Sequence, residues 1–424
     1  MVSILRTLRI SVLTLAAVST VSVGATAQSL AIPSNHPKVA AALAGIRADN
    51  AWTLDQQASI CEIAAPPFKE AMRAAEYKRR FETLGFKDVR IDTEGNVIAT
   101  RPGKGKGPTV MIAGHLDTVF PEGTGVKVTR QGTLMKGPGI ADNCRGLAVV
   151  LQVAKALSVA GVETDGTIMF VGNVGEEGPG NLRGVRHLLM KEFPGKIDYF
   201  ISVDGAGLGV TSRAVGSHRY RVTYRGPGGH SYGAFGIPNP IHALGRAIAK
   251  ISDLQVPARP RTTFNVGMVS GGTSVNSISE TGVMEVDMRS ESSEELGKID
   301  TQIRGAIDTA LVEENTRWPG QRGRLAVTVD TMGIRPTGAQ SDDAVIVRTA
   351  LAAGKALGFS EPTGASSTDA NLPISMGIPA ITIDGGGRGR GSHSLAEDYD
   401  DTATGYLGPQ WAALIVTALA GVRK

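Results

Sequence analysis

The sequence predicts an α/β protein: a mostly parallel-sheet domain interrupted by a ferredoxin-like α+β module. Three observations carry that expectation. Short apolar runs with strand character alternate with apolar-periodic helices, the pattern of a sheet covered on both faces. Several of those runs end abruptly in acids or a histidine, at the edge where open α/β sheets bind ligands. Near residue 214 the alternation gives way to strand–helix–strand–strand–helix–strand, the order of a ferredoxin-like unit.

Taken in order, residues 37–46 and 54–64 have helical apolar periodicity, and Ala65-Pro66-Pro67 stops the second. Residues 70–84 are good helix formers that end at Gly85. Residues 89–92 and 97–100 are predicted strands around the turn Glu94-Gly95-Asn96. The run Val110-Met111-Ile112-Ala113 leads into Gly114-His115-Leu116-Asp117. Helix is predicted over 146–160 and 185–192, with a strand ending near Val171 between them. In the module, strands are expected over 217–224, 263–269, 282–290 and 325–330, and helices over 239–251 and 294–313. The expected boundaries are a signal peptide at 1–27, catalytic segments at 28–213 and 334–424, and the module at 214–333.

Residues 1–27 read as a bacterial secretory signal. Arg6 and Arg9 precede a mostly apolar stretch from Ile10 to Val23, and Ala25-Thr26-Ala27 fits a small-residue cleavage site. An uncleaved anchor is the rival, but Ser and Thr break a core already short for a span. The expectation is a periplasmic or secreted protein without stable membrane insertion. The net charge is +4, with Arg6 and Arg9 contributing two of it and no dense basic run elsewhere, so nucleic acid is not an expected partner. Cys61 and Cys144 are the only cysteines; they could pair in an oxidising compartment, or Cys144 could be a small buried residue or a soft ligand.

The strand-end residues point to metal chemistry. In an extended chain His115 and Asp117 share a face, so Asp117 can orient a metal-bound imidazole. Asp142 stands in the Gly-rich stretch Gly137-Pro138-Gly139-Ile140-Ala141-Asp142-Asn143, and Glu176-Glu177 and Asp204 each follow apolar runs. Ile381-Thr382-Ile383-Asp384 leads through glycines to His393. Nitrogen and oxygen donors of this kind suit zinc, with cobalt or manganese as substitutes. A shared carboxylate gives a two-metal site with ions roughly 3.5–4 Å apart. Adjacent Glu176 and Glu177 diverge, so one can bind metal while the other faces the cleft as a proton carrier.

These residues also carry a resemblance. The order Gly-His-x-Asp, Gly-x-x-x-Asp-Asn, Gly-Glu-Glu, Val-Asp-Gly, Gly-Gly-His, Asp-Met-Arg, Thr-Asp-Ala-Asn and Gly-Ser-His resembles the di-zinc exopeptidase family of carboxypeptidase G, aminoacylase and peptidase T. The resemblance spans nearly all of the chain after residue 27. It implies that His115 and Asp204 hold one metal, that Asp142 bridges, and that Glu177 and His393 complete the second. It makes Glu176 the general base and Asp117 the group that orients His115. It implies a cis peptide after the bridging residue, here Asp142-Asn143. The module becomes a lid and dimerisation domain whose His230, in Gly226-Pro227-Gly228-Gly229-His230-Ser231, reaches a neighbouring active site. Asn276 becomes a ligand of the substrate carbonyl, and Arg289 a binder of its carboxylate.

Two departures bear on the substrate. Asp204 stands where carboxypeptidases and deacylases of the family commonly have Glu, and Asn371 stands where some aminoacylases have Arg. Both favour a peptide with a free amino end. The reading is a secreted di-zinc aminopeptidase or tripeptidase acting on short peptides as a homodimer. The alternatives are a metallocarboxypeptidase or N-acyl amino acid amidohydrolase and, in another class, an inactive periplasmic peptide-binding protein.

Overall fold

The computed structural model describes residues 31–318 and 323–424. The secretory signal expected over residues 1–27 lies outside them. The larger part of the chain is built on a nine-stranded sheet. Its centre holds Ile168–Asn173, Val110–His115, Tyr199–Val203 and Ala380–Ile383, each parallel to its neighbour. The flanking strands Val97–Arg101 and Val210–Ala214 join this core by antiparallel pairing.

Every residue of Val110–His115 and Ile168–Asn173 is buried, because apolar layers cover both sheet faces. Ile112, Phe170, Ile201 and Ile381 pack under the helices Cys144–Val159 and Leu407–Ala420. Met111, Met169, Phe200 and Ala380 pack on the opposite face under Arg183–His187 and Asn371–Ser375. The strands therefore end together, and their C-terminal ends deliver His115, Asn173 and Asp204 to one edge.

The inserted module has a four-stranded antiparallel sheet in the spatial order Thr262–Gly271, Thr281–Ser290, Gly216–Arg225, Ala326–Arg335. In chain order that is 2-3-1-4, the ferredoxin-like arrangement. Alternation along the strands sends Tyr220, Val222, Met284, Val286 and Met288 to one face. There they are buried with Leu244 and Ile303 of the helices Pro240–Ser252 and Ser293–Thr316. The other face carries Ser217, Arg219, Asp287, Arg289 and Arg335.

Two features depart from the sequence reading. The helix expected over 185–192 is a short α-helix, Arg183–His187, followed by a π turn over Leu188–Glu192. A small sheet, in the order Arg388–Arg390, Asp398–Asp400, Leu134–Lys136, Thr129–Gln131, was not anticipated. It matters to the site because Asp142 follows one of its strands and His393 lies in the connection between two others. Of the alternatives left open for the cysteines, the structure shows pairing: Cys144 is bonded to Cys61, with Cα atoms 5.5 Å apart. Among the described residues no helix is long and apolar enough to cross a membrane.

Candidate metal centre

Asp142 is delivered by a loop that is fastened at both ends. The buried Glu397 carboxylate accepts N–H bonds from Gly139 at 2.9 Å, Ala141 at 2.8 Å and Asp142 at 2.9 Å. Burial nevertheless pushes Glu397 up to about 7, with the Asp142 charge adding to the shift and the three N–H bonds opposing it. On the far side the Asp142–Asn143 peptide is cis. Asn143 caps the helix Cys144–Val159 by accepting from the Gly146 N–H at 3.0 Å, a cap worth about 1 kcal/mol. Its amide also donates to the Val203 carbonyl at 2.9 Å, which ties the loop to the strand that delivers Asp204. Only glycine fits at 146, since a Cβ there would lie 2.1 Å from the Val203 oxygen.

Three groups of donor atoms form at this edge: His115, Asp142 and Asp204; Asp142, Glu177 and His393; and His115, Glu176 and Glu177, each with its donor atoms within 4.8 Å of one another. The first two are triads that share Asp142. His115 Nε2 lies 3.1 Å from Asp142 Oδ1 and 3.7 Å from Asp204 Oδ1. His393 Nε2 lies 3.2 Å from Asp142 Oδ2 and 3.1 Å from Glu177 Oε1. Asp142 thus turns one oxygen to each imidazole, the disposition a carboxylate needs to bridge two ions.

The electrostatics suit cations. Burial would lower the His115 pKa, but Asp117, Asp142 and Asp204 outweigh it and hold the ring protonated well above its ordinary range. Hydrogen bonds to Asp142 and Glu177 raise His393 to about 10. A divalent ion satisfies the same acids and releases those protons, since the ligand form of imidazole is neutral. The donor set therefore fits a dinuclear metal site.

Glu176 and Glu177 do diverge. Asp117 accepts both of their backbone N–H groups, at 3.1 Å and 2.8 Å. Its carboxylate stands 3.6 Å from His115 Nδ1, whereas its backbone carbonyl stands at 3.1 Å. The Asp117 side chain and main chain thus both face His115, while the side chain also holds the backbone of the Glu pair. Glu177 faces His393. Glu176 faces Arg335, whose Nη1 donates to its Oε1 at 2.8 Å and whose Nη2 bonds its carbonyl oxygen. Burial pushes the Glu176 pKa well above the carboxylate range; Arg335 opposes the shift and the Glu177 charge adds to it.

The remaining expected residues separate into two groups. Arg289 lines the cleft of about 540 Å³ that holds Asp142, Glu176, Glu177, Asp204 and His393. His230 and Asn276 are exposed elsewhere, on a small ribbon in which Gly229–His230 pairs with Ser277–Ile278. Ser231 N–H donates to the Asn276 carbonyl there at 2.9 Å. Within this chain that ribbon does not line the cleft. Asn371 does not line it either. Its amide donates to the Val215 and Pro336 carbonyls and its oxygen accepts from Thr368 N–H, so it fastens the hinge of the module. The absence of Arg at 371 therefore does not open the cleft to an amino end.

Arg219, Arg335, Asp369 and Glu397 were missed. Asp369 is fully buried, accepts from Asn173 at 2.7 Å, and is raised by burial to about 7. Glu397 had one usable signal, an acid four residues after His393. Arg335 had none, since a single Arg before Pro336 is an ordinary strand end.

Comparisons with known proteins give the family of the chain. The chain is 27% identical over 348 residues to the uncharacterized protein YqjE of Bacillus subtilis (strain 168), covering 78% of this chain and 89% of that one. It is 28% identical over 337 residues to carboxypeptidase G2 of Pseudomonas sp. (strain RS-16), covering 76% and 77%. Among solved structures, aminopeptidase PepT from Bacillus cereus ATCC 10987 shares the fold with a TM-score of 0.66 at 22% identity, covering 87% of this chain and 97% of that one. The family model of Peptidase family M20/M25/M40 matches residues 111–414, the span that supplies both triads, and the chain belongs to that family of metallopeptidases and related hydrolases.

Proposed function

We propose that this chain is a di-zinc exopeptidase of short peptides, with Glu176 as general base and the free amino end as the end it reads. The observation that carries the chemistry is the position of Glu176. It lies beside both triads that share Asp142, near His115 and Glu177, and its carboxylate accepts a hydrogen bond from Arg335. When bound, zinc in the two triads would polarise the scissile carbonyl and acidify the attacking water. Glu176 takes the proton at its carboxylate and returns it to the leaving amine, and a raised pKa suits a group that must do both near neutrality. Arg335 fixes the carboxylate, and Asp117 fixes the backbone on which it rides.

Asp204 and Asp384 on the cleft wall supply negative charge for an ammonium. The amidohydrolase or metallocarboxypeptidase reading has its own support in Arg219, Arg289 and Arg335 on the same cleft. Kinetics on tripeptides and their N-acetylated forms separate the two. The aminopeptidase reading predicts a large drop in kcat/KM on acetylation, because an acid of the cleft wall is left without its partner. Equal or better cleavage of acetylated peptides would promote the amidohydrolase.

The proposal extends to a homodimer made through the inserted module. Strand Thr262–Gly271 is an open sheet edge, and Met268, Val269 and Val275 are exposed close to it in sequence. His230 and Asn276 share one exposed ribbon that does not line this chain's own cleft. Mixing an inactive His230→Ala protein with an inactive Glu176→Gln protein should restore activity; a strict monomer in ultracentrifugation would contradict it. Export to the periplasm or beyond is supported by the Cys61–Cys144 disulfide, a bond that persists in oxidising compartments.

A further inference from the structure

Asp384 is a half-buried acid on the cleft wall. It follows the strand Ala380–Ile383, which pairs in parallel register with Tyr199–Val203, so Asp384 and Asp204 leave adjacent strands at the same level. The Asp204 N–H donates to the Ile383 carbonyl at 3.0 Å and carries the pairing to the strand ends. The loop after Asp204 then folds over the Asp384 carboxylate. The Gly209 N–H donates to Oδ2 at 2.7 Å, and the Asp384 N–H donates to the Gly209 carbonyl at 3.1 Å. A Cβ at Gly207 would lie 2.5 Å from Oδ2 and one at Gly209 3.0 Å from it, so the backbone closes on this oxygen because both residues are glycine. Oδ1 accepts no hydrogen bond among the described residues.

The acid is therefore fixed by one oxygen while its charge stays unmatched. Asp142, Glu177 and Asp204 belong to the triads and Glu176 pairs with Arg335, which leaves Asp384 as the cleft acid that none of them engages. Burial pushes its pKa up to about 7; the Gly209 N–H opposes the shift, and the Asp204 and Glu361 charges add to it. A half-buried carboxylate without a partner is costly, and a bound cation recovers that cost. Hydroxyl groups stand beside it. Asp384, two residues beyond Thr382, continues the alternation that puts the two on one face. Thr211 stands opposite Thr382 where Val210–Ala214 pairs with Ala380–Ile383, and both threonines line the cleft. Thr382 is buried, and its hydroxyl is tied to that of Thr368 at 2.6 Å. Asp384 Oδ1 and the two threonine hydroxyls give three acceptors for the three N–H donors of an ammonium. A guanidinium fork is matched less well, because Gly209 already occupies the second carboxylate oxygen.

We propose that Asp384 is a specificity-determining residue that, with Thr211 and Thr382, receives a side-chain ammonium of the substrate. The preferred substrates are then short peptides that carry lysine, or a residue with a similar primary amine, next to the bond that is cut. Placing that residue at the amino end, with its α-amino group beside Asp204, rests on the exopeptidase reading; the ammonium site does not.

Binding tests this without turnover. Norleucine keeps the α-amino group and the straight chain of lysine but lacks the side-chain ammonium. In zinc-loaded Glu176→Gln protein, Lys-Gly-Gly should bind about tenfold or more tighter than norleucine-Gly-Gly. Adding Asp384→Asn, which can still accept from the Gly209 N–H, should bring the Kd of the lysine peptide to that of the norleucine peptide. The norleucine Kd should not change, which also shows that the variant is folded. Thr211→Val, on the neighbouring strand, should reduce the same preference by a smaller factor, and it stands as the test if Asp384→Asn does not fold. Equal binding of the two peptides before any change, binding of neither, or an undiminished preference in the variants overturns the proposal. Parallel weakening of both peptides in folded Asp384→Asn protein also overturns it, since Asp384 would then serve the α-amino group. If the lysine preference is found and Asp384 carries it, while the protein with Glu176 intact cleaves neither peptide, the ammonium site stands and the exopeptidase reading falls.

Discussion

A Glu176→Gln protein should keep both metals and lose roughly 10²–10⁴ in kcat. Gln is nearly isosteric with Glu and can still accept from Arg335 Nη1, so the shape of the site survives. It cannot take a proton from water or pass one to an amine. Metal content and turnover measured on one preparation decide the matter. Loss of metal would mean that Glu176 is a ligand, and near-normal turnover would mean that the base lies elsewhere. The same assignment fixes a sign for the pH profile. The base must be ionised, and burial raises its pKa, so kcat/KM should fall as pH is lowered through a value above the ordinary carboxylate range.

Replacement of Asp142 by Ala should do more, because it removes a donor from both triads at once. His115 loses the oxygen at 3.1 Å and His393 the oxygen at 3.2 Å. The expected result is a protein that retains less than one metal per chain and has no detectable activity. His393→Ala and Asp204→Ala each touch a single triad, so each should spare one metal. If Asp142→Ala costs no more metal than either of these, the carboxylate does not bridge.

The candidate ligands were legible because most of them are local events. His115 and Asp204 follow buried apolar strands, Asp142 sits in a glycine-rich turn before a helix, and Glu176-Glu177 interrupts an apolar run. Parallel strands covered on both faces must end together, so these positions were bound to meet. His393 was legible as the histidine reached through glycines from the strand ending at Asp384, while the three-residue strands that hold it, Arg388–Arg390 and Asp398–Asp400, are too short to show a period. Charged residues that serve the site from afar were not legible. Arg335 and Glu397 are buried by chain segments more than 150 residues away in sequence from the groups they hold. Asn371 misled for the related reason that a motif position fixes a residue's place in the chain and not what its side chain meets. The Asp117 contact shows the limit of spacing arguments, since alternation placed its side chain correctly but not its engagement with the Glu pair.

Anomalous diffraction at the zinc edge, from crystals of the zinc-loaded protein, tests the central claim most directly. Two peaks are predicted, one held by His115, Asp142 and Asp204 and the other by Asp142, Glu177 and His393, with Glu176 bound to neither. A single peak, no peak in the cleft, or a peak ligated by Glu176 would contradict the account.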